Sequence, residues 1–161
     1  MDLILWRHAQ AQMLGEDEAA AGFDLARDLA RPLTAKGERQ AVRMAEWLNQ
    51  RLPDRTRILV SPAVRTQQTA QALERRFRTV ESIHPLARVD DLLLAARWPD
   101  SRDPVLIVGH QPTLGLLAAR LLTGLDQPWS VRKGAVWWLR SRDREGSHQV
   151  VLHAVVPAEM A

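Results

Sequence analysis

The sequence predicts an α/β fold: a single domain over residues 1–161, arranged as a three-layer α/β/α sandwich. A mostly parallel central sheet of about six strands is expected, ending in a C-terminal antiparallel hairpin. Three observations carry this expectation. Leu3-Ile4-Leu5-Trp6 and Val105-Leu106-Ile107-Val108 are unbroken apolar runs, the mark of strands covered on both faces. Each is followed by turn chemistry and then by apolar residues at helical spacing. Near the end, Ala135–Leu139 and Val150–Val156 flank the polar stretch Ser141–Ser147, which reads as a hairpin.

The remaining elements follow in order. Residues 9–32, with the acidic run Glu16-Asp17-Glu18 and then Ala19-Ala20-Ala21-Gly22, are expected to form an exposed, mobile connection. Thr34 is a suitable cap for a helix whose Ala41, Met44, Ala45 and Leu48 repeat at i, i+3, i+4, i+7. Ile58-Leu59-Val60 is a shorter strand, and Thr79 to Ile83 a further one. Between them Ser61 reads as an N-cap and Pro62 as the first helical residue, with Thr66, Ala70, Leu73 and Phe77 on one stripe. Asp90 and Asp91 sit where a short helix, Asp91 to Ala96, begins. Pro112 opens a last helix carrying Leu114, Leu117, Ala118 and Leu121.

Composition excludes several classes of function. There is no cysteine, so no disulfide, thiolate metal site or cysteine nucleophile is available. The N-terminal apolar run is too short for a signal peptide, and nowhere do 18 apolar residues follow one another. A cytoplasmic location is the expectation, with no membrane partner. The net charge of +3 is the excess of 22 basic over 19 acidic residues, and of the basic ones only Lys36 and Lys133 are lysine. The arginines alternate with acids along the chain, as in Arg27-Asp28 and Asp143-Arg144-Glu145, so no nucleic-acid footprint is expected.

In an open parallel sheet, ligands bind outside the carboxyl ends of the strands. Arg7-His8 directly follows the first strand, Arg65 lies in the first turn of the helix after the second, and Gly109-His110 follows the strand Val105–Val108. Taken singly, each is commonplace: a surface or core histidine, a solvated helix arginine. If those strands are neighbours, two arginines and two histidines converge on one crevice. That set suits a tetrahedral phosphoryl group, because guanidinium forks hold its oxygens and remain charged at any working pH. An imidazole can accept the phosphoryl group near neutral pH. His84, His148 and His153 lack such settings and read as structural, and Trp137-Trp138 reads as strand packing on two faces.

Four blocks of sequence resemble the histidine phosphatase superfamily, the phosphoglycerate-mutase-like fold, and within it the short SixA-type phosphohistidine phosphatases. They are Leu3–Ala9, Arg31–Gly37, Ser61–Ala70 and Val108–Gly115, in the family's order. The resemblance implies that His8 is the phosphorylated nucleophile. It implies that Arg7 and Arg65 clamp the phosphoryl oxygens, and that His110 is the second pocket histidine contacting the phosphoryl group. It implies neither a metal nor an organic cofactor. Ala9 departs from the family's usual glycine, which is tolerable where φ is negative. Larger relatives carry a catalytic carboxylate between the second and fourth blocks. Here Asp90 and Asp91 are the only acids in His84–Pro99, and both read as helix-start residues rather than a general acid.

An ester alkoxide leaves poorly without an acid, whereas the imidazole of a phosphohistidine is readily protonated. The expected function is therefore hydrolysis of phosphohistidine on a signalling or phosphotransfer protein, through a covalent intermediate on His8. The expected partner is a phosphorylated protein, such as a histidine phosphotransfer domain, or a small phosphorylated substrate. A broad small-molecule phosphomonoesterase and a non-enzymatic phosphate-binding module are the alternatives. No capping segment is evident to enclose a mutase intermediate. The small size makes a monomer the default.

Overall fold

The structure, a computed structural model, describes all residues 1–161. Strands β1 (Asp2–Arg7), β2 (Arg57–Val60), β3 (Arg78–Thr79), β4 (Val105–Gly109), β5 (Val136–Arg144) and β6 (Ser147–Val156) form one sheet in the order β3-β2-β4-β1-β5-β6. The pairs β1–β4, β4–β2 and β2–β3 are parallel, and β1–β5 and β5–β6 are antiparallel. The six helices are α1 (Glu16–Ala20), α2 (Leu25–Ala30), α3 (Ala35–Asn49), α4 (Val64–Gln71), α5 (Val89–Ala96) and α6 (Thr113–Thr123). None is long and apolar enough to cross a membrane.

Strand alternation divides the interior into two cores. From β1, Leu3 and Leu5 face one side and Ile4 and Trp6 the other; from β4, Val105 and Ile107 oppose Leu106 and Val108. The first face packs against Val89 and Leu92 of α5 and Leu114 and Leu117 of α6. The second packs against Met44, Ala45 and Leu48 of α3 and Ala70 of α4. Trp137 and Trp138 fall on opposite faces in the same way. These continuous apolar runs are thus the middle layer of the sandwich, as their lack of a polar face implies.

Several boundaries differ from those the sequence predicts. The helix after β2 begins at Val64 rather than at Pro62, because Ser61 is drawn to His110 and its carbonyl accepts from Thr66 Oγ1 and Gln67 Nε2. Strand β3 ends at Thr79; Glu81–Ile83 turns as a 3₁₀ helix that buries Ile83 beneath α5. Helix α5 starts two residues before Asp91, whose carboxylate accepts from the Arg88 N–H at 2.9 Å. The hairpin strands run on through the polar stretch to Arg144 and Ser147, because backbone pairing continues where packing has ended. Residues 9–32 carry α1 and α2 rather than an irregular connection.

Thr34 caps α3 as expected, accepting from Gly37 N at 3.0 Å. Gly37 then touches the segment after β1 so closely that a Cβ there would strike the carbonyl oxygen of Gln10. Replacing a helical glycine by alanine ordinarily gains up to about 1 kcal/mol, while forced overpacking costs about 1–3 kcal/mol. Since the clash is with backbone, the second effect wins. Gly37→Ala is expected to lower the urea midpoint despite its better helix propensity; an unchanged or raised midpoint would contradict the contact.

Candidate active site

The register of three parallel strands sets the site. Leu5 and Trp6 of β1 lie level with Ile107 and Val108 of β4, and Val60 of β2 with the same Val108. The chain leaves all three strands at one height. His8 N donates to Gly109 O and Ser61 N to Val108 O, both at 3.1 Å, extending the ladders by one step. His8, His110 and Ser61 therefore emerge side by side, and one turn of α4 brings in Arg65. The His8 and His110 ring centroids are 5.4 Å apart.

His8 is 5% exposed, His110 4% and Arg65 3%. The Nδ1 of His8 lies 2.7 Å from the carbonyl oxygen of Ala9, which can only accept, so Nδ1 carries the proton and Nε2 holds the free lone pair. Ala9 is itself buried and does not have a positive φ, so its methyl is accommodated; its N–H donates to Thr69 Oγ1. Burial, and then the charges of Arg65, Arg7 and Arg31, push His8 down to about 3 against the opposing bond to Ala9. His110 is pushed down to about 2 by burial and the same cations. Its Nε2 is 2.7 Å from Ser61 Oγ, and its Nδ1 is buried with no partner. Both rings are neutral at pH 7.

The two arginines are fixed by oxygen acceptors. One terminal nitrogen of Arg7 donates to Val131 O at 2.9 Å. Arg65 donates to the backbone oxygen of Asp28 at 2.7 Å and to its carboxylate at 3.0 Å. The other carboxylate oxygen of Asp28 takes Arg31 Nε at 3.1 Å. Asp28 therefore bridges two guanidiniums from α2, within the segment expected to be a mere connection. Burial pulls the pKa of both Arg7 and Arg65 down, and Asp28 counteracts this for Arg65. Three buried side-chain nitrogens in the whole chain have no hydrogen-bond partner: Arg7 Nε, Arg65 Nε and His110 Nδ1. All three belong to residues that the strand-end argument selects.

The structure thus brings together Arg7, His8, Arg65 and His110. It places Asp90 and Asp91 elsewhere. Asp90 is held by Arg120 at 2.6 Å and Asp91 caps α5. Of the other histidines, His84 accepts from Leu86 N, His148 meets Asp143 on the surface, and His153 lies edge-on to Trp138. Sequence reasoning missed Asp28, Arg31 and Ser61 as neighbours of the site. The Arg31 and Ser61 blocks gave a signal; Asp28 gave none beyond an acid in a polar stretch. No group of three or more His, Cys, Asp or Glu side chains is placed to hold a metal ion.

Two outcomes follow from this geometry. Unfolded histidines titrate near pH 6.5 while these two, folded, resist protonation to about 3 and 2. Below pH 6.5 the unfolded chain takes up the extra protons, so stability is lost as pH falls, at about 1.4 kcal/mol per pH unit for each histidine. Urea unfolding at pH 7, 6 and 5 is expected to show this slope, flattened in His8→Gln/His110→Gln; equal slopes would contradict it. Asp28→Ala leaves Arg65 buried with only a backbone acceptor, and is expected to cost about 1–3 kcal/mol in the same measurement.

The family profile described as histidine phosphatase superfamily (branch 1) matches residues 3–92. A phosphohistidine phosphatase SixA homolog of Haemophilus influenzae is 31% identical over 136 residues, covering 75% of this chain and 77% of the relative. Phosphohistidine phosphatase SixA of Escherichia coli is 29% identical over 136 residues, covering 80% and 78%. The solved structure of the protein histidine phosphatase SixA complexed with tungstate superposes with a TM-score of 0.72 at 24% identity, over 98% of this chain and 97% of that one. Matched over more than half its length, the chain belongs to the histidine phosphatase superfamily and is a phosphatase.

Proposed function

We propose that this phosphatase hydrolyses phosphohistidine on a phosphorylated protein through a covalent phosphoryl-His8 intermediate. The observation that carries the reading is the pairing of a neutral His8, its Nε2 lone pair free, with three unpartnered nitrogens on Arg7, Arg65 and His110. In the first step Nε2 attacks phosphorus, and the bond from phosphorus to the substrate imidazole breaks with its electron pair. That imidazole takes a proton from solvent as it leaves, while His8 keeps its own on Nδ1. In the second step water attacks the phosphoryl group on His8, restoring the ring and releasing inorganic phosphate.

Each side chain has a role in this scheme. Arg7 and Arg65 hold the equatorial oxygens, whose charge is spread in a loose transition state. We assign the Ser61 hydroxyl as donor to Nε2 of His110, 2.7 Å away, which puts the His110 proton on Nδ1, the unpartnered atom. From there it can donate to a phosphoryl oxygen. Asp90 and Asp91 both have other partners, so no carboxylate from that segment is at hand to protonate an alkoxide. This favours a nitrogen leaving group over an ester. The names of the SixA relatives point the same way.

Rapid quenching after mixing with a histidine-phosphorylated protein is expected to trap acid-labile phosphate on the chain. His8→Ala abolishes it; label that persists in the variant refutes the mechanism. Arg65→Ala is expected to lower kcat by about 10²–10³. Turnover of sugar or nucleotide phosphates faster than the phosphohistidine protein would instead establish a phosphomonoesterase. Ser61→Ala is expected to lower kcat by several-fold with little change in KM, because it acts through the His110 tautomer rather than on the substrate.

A further inference from the structure

The arginines that look scattered along the chain are gathered in space. On α3, Lys36, Arg39 and Arg43 stand at i, i+3 and i+7, exposed along one stripe. They face Arg132, in the turn before β5, and Glu159, in the C-terminal 3₁₀ turn. With Gln40 and Ala158 these residues line a groove of about 540 Å³. Four cations meet one carboxylate there, and that carboxylate is engaged by Arg132 at 2.8 Å. The second of the chain's two lysines, Lys133, adjoins Arg132.

Both walls of the groove are tied to the strand end that carries His8. Gly134 N, two residues beyond Arg132, lies 3.1 Å from Arg7 O and 3.0 Å from His8 O. Gln40, inside the groove wall, accepts from Gln10 N at 3.0 Å. The cationic groove is therefore continuous with the backbone on which the nucleophile stands. Its charges are exposed and mostly unpaired, which is the arrangement that steers and orients a charged partner rather than stabilising the fold.

We propose that this groove docks a carboxylate-rich face of the phosphorylated protein substrate, adjacent to its phosphohistidine. The proposal rests on the phosphoprotein reading and adds where the partner sits and what its surface carries. Exposed cations at such a rim act mainly through encounter and residence, so their loss appears in KM and weakens with salt. A second arginine patch, Arg55, Arg57, Arg76, Arg78 and Arg97, borders β2 and β3 at the edge of the sheet, away from β1. It provides the control: the same reversal of two arginines, made outside the groove.

The test uses a histidine phosphotransfer domain of net negative charge, phosphorylated on histidine, beside phosphoramidate as a small substrate with the same bond. At about 50 mM salt, Arg39→Glu/Arg43→Glu is expected to lower kcat/KM on the protein about tenfold or more, through KM, with the loss shrinking at about 500 mM. Its rate on phosphoramidate stays at the wild-type level, and Arg76→Glu/Arg78→Glu stays at wild type on both. Unchanged kcat/KM on the protein, or an equal loss on phosphoramidate, overturns the docking surface alone. Wild-type enzyme that turns over phosphoramidate but not the phosphorylated domain overturns the phosphoprotein reading, and the docking proposal with it.

Discussion

The level endings of β1, β4 and β2 are the constraint on which the site depends. Parallel pairing puts Trp6, Val108 and Val60 in one row. The next residue on each strand then makes one more backbone bond or begins a turn, so its side chain has one direction left to it. A slip of one residue in β4 would exchange its two faces, sending Leu106 and Val108 to the other core and His110 away from Ser61. The apolar patterning that fixes the register for packing therefore fixes it for chemistry too.

Gathering positive charge away from water is costly, and the protein offsets that cost without neutralising the site. Arginine is suited to this because its guanidinium stays protonated where a buried lysine would shed its proton. Arg7 leans on a backbone carbonyl and Arg65 on Asp28, acceptors that steady each fork while leaving the Nε of each unpaired. Burial first, and the field of these cations second, keep both imidazoles neutral. The same cations that would attract an anion thus add to what burial does to the two rings.

Much of this was legible in the residues. Continuous apolar runs predicted the parallel strands, and the turn residues after them located Arg7, His8, Arg65 and His110. What escaped prediction shares a physical cause. Asp28 matters because α2 folds back over α4, a contact between segments that no local spacing encodes. Ser61 looks like a helix cap by the rules of the backbone, but a buried imidazole competes for its hydroxyl and moves the helix start. The charged groove is invisible in sequence because Arg132 and Arg39 are neighbours only after β5 returns beside β1. Local patterns disclose elements and their ends, whereas electrostatic partners depend on how the layers close.

The bond between Nδ1 of His8 and the carbonyl of Ala9 carries a stereochemical consequence. It leaves a single acceptor atom on the ring, the one remote from the main chain, so any phosphorylated form must be the tele isomer. Because the tethering N–H survives that modification, the ring plane has no need to turn between the two displacements of the proposed mechanism. Water and the proposed leaving imidazole then use the same approach line.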